Sequence, residues 1–243
     1  MNQPMPEAHY EELAALSESY FWHWTRRELL LRQARRVQPI GSYLDVGCGL
    51  GTGTSLAARE LVRCGLAGPG LVTVGIDHPA LQPRLERFLA IDLEAPGEWA
   101  LPALPGTRLI SCMDVLEHLA EPQAVLSRIA ALMGPADLAL FTVPAFQRLW
   151  SAWDQKLGHR RRYTRGLLHE QLRSAGFEIL DSSYLFSWAY LPGLLRARGK
   201  ASELEFPRVP APLNAALKLM GRAELALGAP FGTSVWAAAR LKR

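Results

Sequence analysis

Apolar residues cluster in short runs at 42–46, 71–76, 87–91, 107–113 and 136–143, separated by polar or glycine-containing breaks. Runs of this length, apolar at successive positions rather than at every second one, predict strands covered on both faces. Between most of them lie helical stretches: 52–65 is rich in Ala and Leu, and 121–133 opens on Glu121-Pro122. Strands alternating with helices predict a parallel sheet held between two helical layers. Upstream, residues 7–36 read as one or two helices, with Glu near the start and Arg near the end, as the helix dipole favours. Downstream, a helix over about 165–175 stops at Gly176, and a strand follows at 177–186. Two helices are then expected within 188–228, around Pro207, Pro210 and Pro212, with a last strand at 233–240. The pattern predicts one domain over 1–243, with residues 1–38 as an N-terminal helical lid and 188–228 as a helical insertion before the last strand.

Composition agrees with a globular chain. Of the 243 residues, 49% are hydrophobic and 21% charged, and the net charge is +4. So small a surplus does not point to nucleic acid. Much of it sits in one run, His159-Arg-Arg-Arg-Tyr-Thr-Arg165, which suggests that an anion is recognised nearby. Cys48, Cys64 and Cys112 are odd in number and without C-x-x-C spacing, so neither a zinc knuckle nor a disulfide framework is expected. A reducing cytoplasm suits them. The N-terminus has no leader-like apolar run, and no stretch reaches the length of a membrane span, although peripheral membrane contact is left open.

The chemistry concentrates where the first strand ends. The stretch Asp45-Val-Gly-Cys-Gly-Leu-Gly51 runs from strand into helix, and glycines at such a turn let the backbone of Gly47, Cys48, Gly49 and Gly51 approach a ligand closely. The dinucleotide fingerprint G-x-G-x-x-G fits in no register, since its third glycine would fall on Thr52, Thr54 or Leu56. A phosphate loop is excluded because no lysine follows the glycines. Asp45 would repel a diphosphate but attract the positively charged amino-acid end of S-adenosylmethionine. Two further carboxylates follow at strand ends. Asp77, with His78 beside it, is placed to accept hydrogen bonds from ribose hydroxyls, and Asp92 to read an adenine amino group with Leu93 packed on the ring.

Together with Cys112-Met-Asp-Val-Leu-Glu-His118, these motifs resemble the class I S-adenosylmethionine-dependent methyltransferases. The last motif is similar to that of ubiquinone-biosynthesis O-methyltransferases and their relatives. The resemblance covers about 40–185 and the final strand. It implies an α/β, Rossmann-like, seven-stranded sheet, mostly parallel with its last strand antiparallel and helices on both faces. The donor and its product S-adenosylhomocysteine would lie across the carboxyl edge, close to the backbone of Met113 and Asp114. A nicotinamide oxidoreductase and a non-catalytic nucleotide-binding module are the competing readings.

The segment after the fifth strand looks like that of a subgroup whose genes accompany glycan and lipid pathways. The residues carrying this likeness are Phe21-Trp22 with Arg26-Arg27, then Trp150, Asp154, Gly158-His159 and Arg161-Arg162-Tyr163. It implies a small-molecule, glycan or lipid-linked acceptor, contacted by Trp22, Arg26, Trp150, Asp154 and Arg162. Guanidinium groups suit a phosphate or carboxylate, although Arg162 could pair with Asp154 instead. His118, His159 or Tyr163 would orient or deprotonate a hydroxyl. Glu117 and His118 lack a third ligand in the sequence, so no metal is expected. The apolar helix near 211–227 is expected to pack on the domain or on a second subunit of a homodimer, with a lipid-bearing acceptor as the sharper alternative.

Overall fold

A computed structural model describes residues 7–198 and 209–242. The chain opens with two helices, α1 (Glu7–Leu16) and α2 (Phe21–Ala34), so the single 7–36 stretch is broken near Ser17–Tyr20. There follow β1 (Ile40–Val46), α3 (Thr52–Arg63), β2 (Ala67–Asp77), β3 (Phe88–Ala90), β4 (Thr107–Met113), α4 (Pro122–Ala131) and β5 (Leu138–Pro144). A short helix α5 (Ala152–Lys156) interrupts the segment expected to be irregular. Next come α6 (Arg165–Ser174), β6 (Phe177–Leu185), α7 (Tyr190–Arg198), α8 (Ala211–Leu227) and β7 (Ser234–Leu241). Pro210 precedes α8 and Pro212 lies in its first turn, where a missing N–H costs nothing; Pro207 falls outside the described residues.

The seven strands form one sheet in the order β3-β2-β1-β4-β5-β7-β6. All neighbours are parallel except β7, which runs antiparallel to both β5 and β6. This is the expected Rossmann-like arrangement. Side chains alternate between two cores, as the strand period of two requires. Leu44, Ile110 and Phe141 face α4 and α6 with Val125, Leu126, Leu168 and Leu172. Tyr43, Leu109 and Leu140 face the other way, with Leu29 and Leu30 of α2 and Leu61 of α3. Every residue of β5 is buried, which explains its unbroken apolar run.

Helix α8 packs on the domain through Leu217, Gly221 and Leu225. Its approach to α2 is close: a Cβ on Gly221 would stand 2.5 Å from the Thr25 hydroxyl. Asn214 ties the start of α8 to the α1–α2 junction, accepting from the Phe21 N–H at 2.8 Å and donating to the Ser19 carbonyl at 2.8 Å. No helix among the described residues is long and apolar enough to cross a membrane.

Candidate functional site

The carboxyl ends of β1, β2 and β4 open into a cavity of about 520 Å³, roofed by α1 and α2. Gly47, Gly49 and Gly51 line it at φ of 80°, 55° and 77°. At Gly47 the requirement is steric as well as conformational, because a Cβ would lie 2.2 Å from Val115 Cγ2.

Asp45, the last residue but one of β1, stands at the cavity wall, accepting from Thr54 Oγ1 at 2.5 Å and from Ser111 Oγ at 2.6 Å. Burial pushes its carboxyl up to about 6, against the pull of those two hydroxyls. Asp77 ends β2, and its two oxygens accept the backbone N–H groups of Gly49 at 2.6 Å and His78 at 2.7 Å. Burial raises this carboxyl too, while the two N–H groups oppose the rise. Asp92 closes a turn by accepting from the Glu94 N–H at 2.9 Å, and Leu93 beside it is buried. His78, Asp92, Leu93, Cys48, Met113 and Asp114 all line the same cavity.

Asp114 sits at φ 56°, turned so that one carboxylate oxygen accepts from Thr142 Oγ1 at 3.1 Å and the other pairs with Arg26. Arg26 lies 4.7 Å from the centre of the Trp22 ring, and Trp22 stacks on Phe186 at 4.1 Å. Trp22 and Arg26 both line the cavity. Burial pulls Arg26 down to about 9, with Glu117 acting in the opposite direction.

The expected acceptor segment arrives differently from its reading in the sequence. His118 and His159 meet edge to face in the cavity with ring centres 4.8 Å apart. Burial, then the neighbouring His159, pushes His118 down to about 3, so it is neutral at physiological pH. Asp154 is fully buried and does not line the cavity. It binds His159 Nδ1 at 2.8 Å and accepts from Arg162 Nε at 2.7 Å and Nη2 at 3.0 Å. Expected to contact substrate, Asp154 instead lies behind the cavity wall, where its carboxylate pairs with Arg162 and binds His159. Arg162 reaches the cavity wall, but its remaining nitrogen Nη1 donates to the Ala145 carbonyl at 3.2 Å.

Tyr163, expected to orient or deprotonate a hydroxyl, is fully buried outside the cavity lining, and its hydroxyl donates to the Leu116 carbonyl at 3.2 Å. Trp150 lies outside the lining, and Trp153, on α5, takes the place expected of it. The basic run forms a clamp on the chain itself. Arg160 donates its backbone N–H to the Glu117 carbonyl at 2.7 Å and its Nε to the His118 carbonyl at 2.9 Å. Arg161 Nη2 donates to the carbonyls of Leu119 and Ala120, each at 2.9 Å.

Glu117 is a further residue of the site, inside the motif at the end of the fourth strand but with no sequence signal that marks its role. It is fully buried, lines the cavity, and neither carboxylate oxygen has a hydrogen-bond partner among the described residues. Burial pushes it up to about 8. The expectation of no metal rested on the lack of a third group beside Glu117 and His118. His159 stands there, and one ligand atom from each of the three lies within 4.8 Å of the others.

The fold is shared with solved methyltransferases and with an enzyme of different chemistry. Phosphoethanolamine N-methyltransferase 2 of Haemonchus contortus, solved with S-adenosyl-L-methionine, is 16% identical with TM-score 0.58, covering 98% of this chain and 58% of that one. An S-adenosylmethionine-dependent methyltransferase of Clostridium acetobutylicum is 12% identical with TM-score 0.53, covering 97% and 98%. The [4+2]-cyclase SpnF is 19% identical with TM-score 0.53, covering 99% and 97%. No curated protein matches the chain in sequence. The family model described as a methyltransferase domain matches residues 21–182, from the start of α2 into β6, and the chain belongs to that methyltransferase family.

Proposed function

We propose that the chain transfers the methyl group of S-adenosylmethionine to a hydroxyl of a small-molecule, glycan or lipid-linked acceptor. The observation that carries the donor assignment is the junction of Asp77 with Gly49, which binds the acid at the end of β2 to the glycine turn after β1, both lining the cavity. A cyclase on the same fold shows that the fold alone would not suffice. The donor fits what lines the cavity: carboxylates at the ends of β1 and β2, an apolar Leu93, and glycines that admit a ligand close to the backbone. Asp45 receives the ammonium end, Asp77 with His78 the ribose, Asp92 with Leu93 the adenine, and the Met113–Asp114 backbone flanks the reacting end.

The sulfonium supplies an activated methyl group, which leaves for the acceptor oxygen as the carbon–sulfur bond breaks and its electron pair stays on sulfur. The chain's task is then mainly to hold the acceptor in line and to keep water out. Helices α1 and α2 act as the lid, presenting Tyr10, Leu13, Trp22 and Arg26 to the cavity. His118 and His159 meet in the cavity and are the groups placed to orient the acceptor hydroxyl. Free Cys48, Cys64 and Cys112 support a cytoplasmic setting. Isothermal titration with S-adenosylhomocysteine tests the donor site. Incubation with methyl-labelled donor and panels of hydroxylated metabolites, glycans and lipid extracts then tests the acceptor. Label confined to amine-bearing acceptors would refute O-methylation.

A further inference from the structure

We propose that Glu117, His118 and His159 bind a divalent cation of the zinc or manganese class on the wall of the donor cavity. The inference rests on the methyl-transfer reading only for what the ion would serve, not for the site itself. Glu117 and His118 are consecutive in the loop after β4. His159 comes from the segment after α5, and the clamp of Arg160 on the carbonyls of Glu117 and His118 holds it against them. The result is one carboxylate and two imidazoles offering ligand atoms within 4.8 Å of one another.

Glu117 gives the independent sign that a ligand belongs there. A fully buried carboxyl is ordinarily hydrogen-bonded or paired, and an exception calls for a physical account. Neither oxygen of Glu117 has a hydrogen-bond partner among the described residues. Arg26, whose charge acts on Glu117, is ion-paired with Asp114 and directed at Ser234 Oγ at 3.5 Å. Asp114 is held by Arg26 and Thr142 and so is no member of the set.

The surroundings also match a metal centre. Imidazoles that bind metals are usually fixed through their other ring nitrogen by a carboxylate or a backbone carbonyl. Nδ1 of His159 is bound to the buried Asp154, itself locked by a two-point contact from Arg162. The His118 ring is held edge to face against the His159 ring, with ring centres 4.8 Å apart. Two nitrogens with one oxygen suit zinc, manganese or similar ions better than magnesium, which prefers oxygen throughout. Three protein ligands leave coordination positions on the cavity side, where an acceptor oxygen can bind as a further ligand.

The test uses the whole chain, freed of metal with chelator, saturated with S-adenosylhomocysteine and titrated with ZnCl2, MnCl2 or MgCl2. The expected result is one Zn2+ or Mn2+ per chain, bound at least about tenfold more tightly than Mg2+. E117Q and H159Q should each weaken the ion by about tenfold or more while S-adenosylhomocysteine affinity is unchanged, which also shows that the variants are folded. D154N, which touches no ion, should weaken it by about tenfold through His159. Unaltered Mn2+ affinity in H159Q, or no Zn2+ or Mn2+ uptake by protein that binds S-adenosylhomocysteine, would overturn the proposal. Metal binding without S-adenosylhomocysteine binding would support the site and count against the donor reading alone.

Discussion

Asp77 and Gly49 are joined by a hydrogen bond of 2.6 Å from the glycine N–H to the carboxylate, so the acid at the end of β2 shapes the turn that follows β1. The second oxygen of Asp77 takes the His78 N–H. An asparagine offers one acceptor to these two donors and must turn its own amide N–H toward the other. Asp77→Asn is therefore expected to lose roughly 1–2 kcal/mol of stability in chemical unfolding. S-adenosylhomocysteine affinity should fall about tenfold or more, the equivalent of about 1.4 kcal/mol.

Gly47 meets two constraints at once, a φ of 80° and contact with Val115. Gly47→Ala should lower unfolding stability by about 1–3 kcal/mol, whereas Gly53→Ala, with open space around it, should leave stability nearly unchanged or slightly raised. Thermal unfolding of the pair without ligand checks this.

Ligand binding should depend on pH through Asp45. Burial raises its carboxyl to about 6 in the folded chain, above its ordinary value of 3.8. Its contribution to stability is therefore fully present below that ordinary value and is lost as pH rises through 6. An ammonium group beside Asp45 favours the charged form, so S-adenosylhomocysteine affinity should drop as pH falls below about 6. Asp45→Asn should remove that dependence in titrations across the range. An identical slope in the variant would show that another group is responsible.

The opposite sign applies to Asp154. Burial alone would raise this carboxyl, but hydrogen bonds from His159 and Arg162 hold it at about 2. The stabilisation is present above the ordinary value of a carboxyl and is lost as pH falls toward 2. Asp154→Ala leaves Arg162 without its partner in a buried setting and should cost on the order of 3 kcal/mol near neutral pH. The difference from the parent chain should shrink in acid, as denaturant titrations at several pH values would show.

Local pattern carried the sheet, because strands buried on both faces and a glycine turn after an acid leave marks within a few residues. Asp45, Asp77 and Asp92 were legible for the same reason: each lies at or within two residues of the carboxyl end of its own strand. The acceptor side was less legible because its partners are distant in sequence. Arg160 and Arg161 look like an anion site on paper, yet they are consumed by carbonyls of the loop after β4. Asp154 and Tyr163 turned inward, and the short helix α5 put Trp153 in the cavity instead of Trp150. The convergence of Glu117 and His159 depends on that same clamp, which no spacing rule reveals.

Isothermal titration of the unmodified chain with S-adenosylhomocysteine and, separately, with NADH is the most direct check on the donor. One-to-one binding of S-adenosylhomocysteine at micromolar affinity, with no heat from NADH, is the predicted result. Binding of NADH by folded protein that ignores S-adenosylhomocysteine would contradict it.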